Sequence, residues 1–377
     1  MHIGIDASNI ISGGGLTHLA ELLKASDPIK HRFKQITLWS NSKTLSKIVE
    51  RPWLKKSSDP WLEKGLLYRI AWQKLRLTQA LIKKKCDVLF VLGGTYSGDF
   101  HPFVTMSQNL IPFESREMLR YGFSWQFIRN QLLRLSQTRT FRRADGVVFL
   151  TEYAQKSVMA VVKKIRGNTR IIPHGLDPSF FKAPREQMPL SSFSNDLPFS
   201  ILYVSLVDLY KHQWHVVEAV AQLRKTLFPV KLDLIGPAYP PALKMLEDVI
   251  SAADPEGNFI KYHGTIPFCD IASHYQQTNL FVFASSCENL PNILLESMAS
   301  GLPVASSNHG AMAEILGDAG LYFNPESPAQ IADAIKAYME SPELRQDKAQ
   351  QAFKRAKNFS WEQCADQTMS FLHEFSA

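Results

Sequence analysis

The sequence predicts an α/β protein built from two Rossmann-like domains, each with a parallel sheet. Short apolar strands alternate with helical stretches along all 377 residues, the order that parallel sheets covered by helices require. A polar stretch at 183–198, with several Ser and Pro residues and no periodicity, separates two such series and indicates a linker. We therefore expect domains at 1–185 and 186–360, a cleft between them, and a final helix at 361–377 that packs back on the first domain.

The predicted strands are short and mostly apolar, as expected for strands that are buried on both faces. Those of the first domain are expected at 2–6, 35–39, 88–92, 103–106, 146–150 and 170–172. Those of the second domain are expected at 200–204, 231–235, 258–263, 280–284, 303–306 and 320–323. Helical periodicity between the later strands predicts helices at 214–227, 241–252 and 328–339.

Composition indicates a soluble globular enzyme. The apolar and charged fractions, 45% and 20%, are ordinary for this class and exclude a disordered or fibrous chain. No run of 18 apolar residues and no secretion signal are visible, so we expect a cytoplasmic protein. The four cysteines lack metal-ligand spacing and are expected to be free thiols.

Positive charge is concentrated in the first half of the chain, within a net charge of +7. Four aromatic residues interleave with lysines and arginines there: Trp53, Trp61, Tyr68 and Trp72. This pattern suits peripheral docking on an anionic membrane, and it equally suits a solvated basic face above core tryptophans. Nucleic acid is a third possible partner, but the sequence contains no recognised nucleic-acid-binding module.

Two glutamates at a strand–turn–helix junction carry most of the functional information. Glu288 follows the strand predicted at 280–284, at the edge of a parallel sheet where ligands bind. Glu296 lies in the helix that begins near Pro291 and stops at Gly301. If all the residues from Glu288 to Glu296 were helical, the helical rise would place the two glutamates about 12 Å apart. That is too far for two carboxylates that flank one glycosidic bond, and it suits two ends of a sugar nucleotide.

A lysine and a glycine-rich turn are further candidates for phosphate binding. Lys211 follows the first strand of the second domain, where it can reach a diphosphate or simply begin a helix at the surface. Gly13, Gly14 and Gly15 follow the first strand of the chain. Their backbone can donate N–H groups to an anion, or the turn can merely connect strand to helix.

Three polar or small residues follow other predicted strands. Asn109 can hold sugar hydroxyls or cap a turn, and both roles stay open. His263 and Gly264 end a strand of the second domain. Gly264 would let the backbone approach a nucleotide, whereas a lone histidine such as His263 is more often structural.

These motifs together resemble those of a known enzyme family. They occur in the following order: Gly13-Gly14-Gly15, Pro173-His174-Gly175-Leu176-Asp177, Lys211, and Glu288-x7-Glu296 followed by Ala299-x-Gly301-x-Pro303. Over nearly its whole length the chain resembles the retaining GT-B glycosyltransferases of glycosyltransferase family 4, in a subgroup that builds bacterial surface polysaccharides. It departs from the common family pattern at Leu206, where an arginine is usual, and at Pro291, where a glycine is usual.

The resemblance implies a role for each site residue. Glu288 and Lys211 would be catalytic, with Glu288 against the donor sugar and Lys211 on the diphosphate. The remaining donor-binding residues would be Glu296, on the ribose, together with Asn289, Leu290, Asn292, His263 and Gly264. Gly13, Gly14, Gly15 and Asn109 would lie on the phosphate and acceptor side. The resemblance implies no bound metal and no cofactor besides the sugar-nucleotide co-substrate.

The expected function is therefore sugar transfer from a nucleoside-diphosphate sugar to a glycan hydroxyl, with retention, in lipopolysaccharide, O-antigen or capsule assembly. The acceptor would be a lipid-linked or oligosaccharide glycan, with the enzyme at the inner membrane face. Two alternatives stay open at this point. One is a sugar-nucleotide epimerase or hydrolase of the same fold, and the other is a catalytically silent scaffold of an assembly complex.

Overall fold

Two all-parallel sheets organise the chain, and each belongs to its own compact unit. The computed structural model describes residues 1–376. The first unit contains residues 1–118 and 122–175 and the C-terminal segment that starts at Ser360. The second contains residues 176–359 together with the short segment Leu119–Tyr121.

The sheet of the first unit has seven strands in the order β3-β2-β1-β4-β5-β6-β7. They are β1 His2–Asp6, β2 Gln35–Trp39, β3 Leu54–Ser57, β4 Val88–Val91, β5 Phe103–Met106, β6 Gly146–Phe149 and β7 Asn168–Ile171. Strands β4, β5 and β6 are buried along their whole length, because helices cover both faces of a parallel sheet.

Strand β3 is absent from the strands that the sequence predicts. Its sequence, Leu-Lys-Lys-Ser, carries two charges and little apolar pattern. It pairs with β2 alone, at the edge of the sheet, where lysines can point to solvent and discourage further pairing. The sheet therefore has one strand more than apolar pattern alone indicates.

The sheet of the second unit has six strands in the order β10-β9-β8-β11-β12-β13. They are β8 Phe199–Val204, β9 Val230–Ile235, β10 Ile260–Tyr262, β11 Leu280–Phe283, β12 Val304–Ser307 and β13 Leu321–Phe323. All six agree with predicted strands to within a few residues. The predicted fold class is confirmed: each unit is a Rossmann-like α/β domain.

Helices connect the strands. Along the chain they are α1 Gly14–Ala25, α2 Ser42–Leu45, α3 Leu66–Trp72, α4 Thr78–Lys83, α5 Ser115–Leu119, α6 Trp125–Arg143, α7 Glu152–Val162, α8 Gln213–Lys225, α9 Pro240–Ala253, α10 Phe268–Gln277, α11 Asn292–Ala299, α12 Met312–Leu316, α13 Pro328–Glu340, α14 Pro342–Ala356 and α15 Trp361–His373. A π-helical segment, Gln73–Leu77, joins α3 to α4. No helix within residues 1–376 has the length and apolar character needed to span a bilayer.

The last helix, α15, packs in the first unit against α1. The indole of Trp361 stacks on the ring of His174, with 5.6 Å between centroids, and meets His18 edge-on at 5.3 Å. Gly175 is required beside this helix, since a Cβ there would lie 2.1 Å from the backbone nitrogen of Trp361. The first unit is thus completed by residues from both ends of the chain.

Each sheet reverses its strand order at one place. In the first unit this switch lies between β1 and β4, and in the second it lies between β8 and β11. Connections on the two sides of a switch run in opposite directions, which leaves a crevice beyond the carboxyl ends of the two central strands. The loops that follow these strands carry the candidate site residues.

Candidate active site

A buried ion pair occupies the switch point of the second unit. Lys211 lies in the loop after β8, and Glu288 lies in the loop after β11. The ammonium of Lys211 donates a hydrogen bond to Oε1 of Glu288. Their side chains are only 7% and 14% exposed. Burial of a charge is costly without a partner, and each of these two residues supplies the opposite charge that the other lacks.

Aromatic rings surround the ammonium of Lys211. The Nζ atom lies 4.9 Å from the ring centroid of Tyr210 and 5.3 Å from that of Phe283. The hydroxyl of Tyr203 donates a 2.6 Å hydrogen bond to the carbonyl of Lys211. These contacts hold both the backbone and the charged end of the lysine, and cation–π attraction adds to the stability of the cation.

The two loops of the ion pair are bonded directly to each other. Ser286 donates to the carbonyl of Tyr210 twice, from its backbone N–H at 2.8 Å and from its hydroxyl at 3.2 Å. His212 Nε2 lies 3.1 Å from that hydroxyl. Burial lowers the pKa of His212 to about 3, so its imidazole is neutral and serves as a hydrogen-bonding group. Lys211 and Glu288 are therefore positioned by a rigid backbone framework.

The helix α11 presents its N-terminus next to Glu288. Asn289 and Leu290 are buried in the turn that leads to it, and Asn292 is its first residue. The N-cap residue is Pro291, and no side chain caps this end. The N–H groups of the first turn, with the positive end of the helix dipole, favour an anion at this place.

Glu296 lies one turn further along α11 and is buried. Its exposed fraction is 8%, and the hydroxyl of Tyr275 donates to its Oε2 at 3.3 Å. Burial raises the pKa of Glu296 from 4.5 to about 7; the hydrogen bond from Tyr275 opposes that rise, and the nearby charge of Asp177 adds to it. Because α11 starts only at Asn292, the helix contributes a rise of about 6 Å between the two glutamates.

His263 and Gly264 follow β10, two strands away from β8. His263 Nε2 lies 2.6 Å from Oδ1 of Asp233 on β9, so the histidine has a partner within the sheet. Gly264 adopts φ +66°, and no atom lies within 4 Å of the place where a Cβ would stand. The structure thus ties His263 to its neighbouring strand and leaves free space beside Gly264.

The glycine turn of the first unit follows β1. Gly13, with φ +68°, is the N-cap of α1, and Gly13 and Gly14 both have open space where a side chain would be. At Gly15 a Cβ would lie 3.0 Å from Oε1 of Gln108, so this turn approaches the loop after β5. In that loop, Oδ1 of Asn109 accepts the backbone N–H of Ile111 at 3.2 Å, which is a turn-capping contact.

Sequence reasoning missed the residues that position the lysine. Tyr203 and Phe283 lie in strands and carry the pattern of ordinary core residues, and nothing in that pattern distinguishes an aromatic contact to a cation. His212 is adjacent to Lys211 but adopts a left-handed conformation with φ +53°, which only the structure reveals. Within residues 1–376, no three His, Cys, Asp or Glu side chains are grouped so that they could hold a metal ion.

Comparison with known proteins identifies the second unit. Residues 184–355 match the family described as "Glycosyl transferases group 1". Lys211, Glu288 and Glu296 all lie within that span. The second unit is therefore a glycosyltransferase group 1 domain.

Curated relatives of the chain agree with that assignment of the second unit. The O-antigen chain mannosyltransferase B of Escherichia coli is 33% identical over 112 residues, which cover 30% of this chain and 29% of that protein. The chain spans about half the length, or less, of the first curated relatives that it matches.

Solved structures match the chain over almost its full length. Sucrose-phosphate synthase from Thermosynechococcus elongatus has a TM-score of 0.78 at 17% identity, and the match covers 99% of this chain and 98% of that one. Anabaena HepE in complex with UDP-glucose has a TM-score of 0.69 at 17% identity, covering 98% and 100%. The fold of the chain is GT-B, as the sequence predicted.

Proposed function

We propose that this chain transfers a sugar from a nucleoside-diphosphate sugar to a hydroxyl of a glycan acceptor, with retention at the anomeric carbon. The observation that carries the proposal is the buried Lys211–Glu288 pair at the β8–β11 switch point, beside an uncapped helix N-terminus. A cation and free N–H groups at one place suit a diphosphate. The UDP-glucose held by Anabaena HepE supports a sugar nucleotide as the ligand.

Lys211 supplies the positive charge in this mechanism. Negative charge grows on the leaving diphosphate as the bond to the sugar breaks, and a fixed cation in a buried site stabilises that charge strongly. The aromatic rings around Nζ keep the ammonium in position while its partner changes from Glu288 to a phosphate. The N-terminal amides of α11, from Asn292 onward, add to the same stabilisation.

The two glutamates hold opposite ends of the donor. Glu288 turns from the lysine toward hydroxyls of the donor sugar near the reacting carbon, and Asn289 and Leu290 shape the turn beside it. Glu296 accepts hydrogen bonds from the ribose hydroxyls, while Gly264 leaves space for the nucleotide. His263 supports that wall through its contact with Asp233.

We propose no bound metal or other cofactor for this chemistry. Lys211 and the α11 N-terminus are the groups that meet the diphosphate charge. The acceptor oxygen bonds to the anomeric carbon as the bond from that carbon to the phosphate oxygen breaks. The departing phosphate takes the proton of the acceptor hydroxyl, so no separate base is required. In the first unit, Gly13, Gly14, Gly15 and Asn109 are proposed to serve the phosphate and the acceptor.

The acceptor that we propose is a lipid-linked or oligosaccharide glycan of a bacterial surface polysaccharide, reached at the cytoplasmic face of the inner membrane. The similarity to an O-antigen chain mannosyltransferase supports this class of acceptor.

Activity assays distinguish sugar transfer from the two alternative functions. An epimerase or hydrolase would consume the donor without acceptor, and a scaffold would bind without turnover.

The test removes the cation. We expect Lys211→Ala to lower turnover by about 100- to 1000-fold, as loss of one transition-state donor typically does. Turnover is measured with UDP- and GDP-sugars and a panel of glycan acceptors. Lys225→Ala, at an exposed lysine that ends α8, is the matched control and should keep full activity.

A second variant guards against a simple folding defect. Because Lys211→Ala leaves Glu288 without its cation, the double variant Lys211→Ala/Glu288→Gln removes the buried charge as well and should fold normally. If folded Lys211→Ala protein transfers sugar at a near-normal rate, the proposed function is wrong.

A further inference from the structure

Helix α6 exposes an apolar stripe on the surface of the first unit. Trp125, Ile128, Leu132 and Leu135 are spaced three, four and three residues apart, so they share one helical face. Their exposed fractions are 73%, 49%, 57% and 69%, and Phe123, just before the helix, is fully exposed. Apolar residues with this spacing normally face a core, so a contiguous exposed stripe indicates an interaction surface.

The charge on α6 is exclusively positive. Its 19 residues include five arginines and no acid. Three of the arginines are occupied, Arg134 with Ser115, Arg142 with the Val162 carbonyl and Arg143 with Asp99. Arg129 and Arg139 are exposed, and neither has an ion pair within residues 1–376. The apolar stripe is therefore flanked by unneutralised positive charge.

The segment formed by α3 and α4 lies on the same face of the sheet as α6. Its connection, β3 to β4, crosses the sheet in the same direction as the α6 connection, β5 to β6. Right-handed crossovers therefore place both on one face of the sheet. The loop after β4 is hydrogen-bonded to both segments. The N–H of Tyr96 donates to the hydroxyl of Thr140 in α6 at 2.9 Å, and the N–H of Ser97 donates to the side chain of Gln73 at 3.3 Å. Exposed apolar residues continue there, at Leu67, Ile70 and Leu75.

The aromatic residues singled out from the sequence contribute little to this surface. Trp72 is only 1% exposed and belongs to the core. Trp61 is covered by the guanidinium of Arg76, at 4.1 Å, which also pairs with Asp59. Of the four aromatics that suggested membrane docking, Tyr68 alone is exposed by nearly half.

We propose that the α6 surface, defined as Phe123, Trp125, Ile128, Leu132 and Leu135 with Arg129 and Arg139, docks the enzyme on an anionic lipid bilayer. The inference rests on the proposed function, because a lipid-linked acceptor is presented at such a bilayer. Aromatic and aliphatic side chains enter the interface between headgroups and acyl chains, while the arginines bind lipid phosphates. Charge complementarity favours the bilayer over a second copy of this chain, because a copy presents the same positive helix.

The experiment measures sedimentation of the full-length protein with vesicles of phosphatidylcholine, with and without phosphatidylglycerol. We expect binding to the anionic vesicles alone. The double variant Arg129→Gln/Arg139→Gln should bind about 25-fold more weakly, since each arginine near an anionic surface contributes about fivefold in affinity. Molar salt should have a similar effect because it shortens the screening length to about 3 Å.

Apolar insertion is tested separately. Trp125→Ser/Leu132→Ser should also lose binding, and both side chains are exposed, so the fold should be unaffected. The matched controls alter exposed residues on the other face and edge of the first unit, Ile29→Ser and Lys34→Gln, and should bind as the wild type does. A blue shift of tryptophan emission on vesicle binding should shrink in Trp125→Phe.

Two results would overturn the inference. One is equal vesicle binding by the α6 variants and the wild type. The other is a wild type that self-associates and α6 variants that are monomeric but bind vesicles as the wild type does. That result would show that the surface is a contact between copies of the chain. Stabilisation by UDP- or GDP-sugars is measured on the same variants. If no sugar nucleotide stabilises any of these proteins, the wild type included, the result counts against the proposed function and not against membrane docking.

Discussion

At the scale of single residues, the site treats its two glutamates in opposite ways. Glu288 is buried in an ion pair with the ammonium of Lys211. Glu296 is buried without a cation, and its pKa rises to about 7 because burial outweighs the hydrogen bond from Tyr275. The folded protein therefore carries a carboxyl group that costs stability whenever it is ionised, at a place where a ligand with hydroxyl donors would repay that cost.

We predict that Glu296→Gln stabilises the protein at alkaline pH. In the folded protein the pKa of Glu296 is raised from 4.5 to about 7, so the protonated carboxyl favours the folded state. This contribution to the free energy of unfolding is fully present below pH 4.5 and is lost as the pH rises through 7. The loss is at most about 3 kcal/mol. Because glutamine stays neutral, the variant should gain up to that amount over the wild type at pH 8 and little at pH 5, measured by urea unfolding.

Glu247→Gln, at an exposed position of α9, is the control and should show no such pH-dependent gain. The proposed ribose contact adds a second readout. Glu296→Gln should bind the donor more weakly although it is more stable. If Glu296→Gln and the wild type are equally stable at pH 8, burial does not raise the pKa of Glu296.

At the scale of elements, α11 is set by the residues at its two ends. Its uncapped N-terminus directly follows the turn that carries Glu288, and Gly301, with φ +69°, ends the helix. The chain at Lys182 passes close to this stop, since a Cβ on Gly301 would lie 2.6 Å from the Lys182 carbonyl oxygen. Glycine is thus required both for the left-handed turn and for the close approach.

A matched pair of glycine substitutions separates these two requirements. Gly257 has φ +68° and no atom within 4 Å of its Cβ position. We expect Gly257→Ala to cost about 1 kcal/mol from backbone strain alone. Gly301→Ala should cost about 3 kcal/mol, because the backbone clash adds to that strain. Urea unfolding measures both, and equal losses would show that the contact with Lys182 is unimportant.

At the scale of the whole molecule, the first unit depends on the last helix of the chain. The polypeptide leaves this unit at Gly175 and re-enters it at Ser360. Trp361 is 6% exposed and packs on His174 and His18. Phe371 also approaches β6, since a Cβ on Gly146 would lie 3.1 Å from its ring.

We predict that Trp361→Ala destabilises the first unit selectively, by about 3–5 kcal/mol, as removal of a buried tryptophan usually does. Amide hydrogen exchange should quicken in β1 and β6 and stay unchanged in β8 and β11. Trp214→Ala, a buried tryptophan of α8, should show the reverse pattern. Equal loss of protection in both units after Trp361→Ala would show that the units unfold together.

Much of this architecture was predictable because local pattern determines it. Buried parallel strands such as β4 and β11 are continuous apolar runs, and glycines and prolines mark where they end. Strand β3 escaped prediction because an edge strand gains its stability from pairing with β2, not from an apolar pattern. The stripe on α6 has the spacing of a core-facing helix, so its exposure could not be inferred from spacing.

The sequence by itself determined the fold class, every strand along the chain except β3, the loops that carry Lys211 and Glu288, and the helix that carries Glu296. Parallel sheets bring the carboxyl ends of their strands to one edge, so chain order alone predicts which loops can meet. Tertiary structure alone decided that Lys211 and Glu288 pair across 77 positions and that burial raises the pKa of Glu296 to about 7. The reason is that pairing and desolvation depend on which groups pack around a side chain, and those groups come from distant parts of the chain.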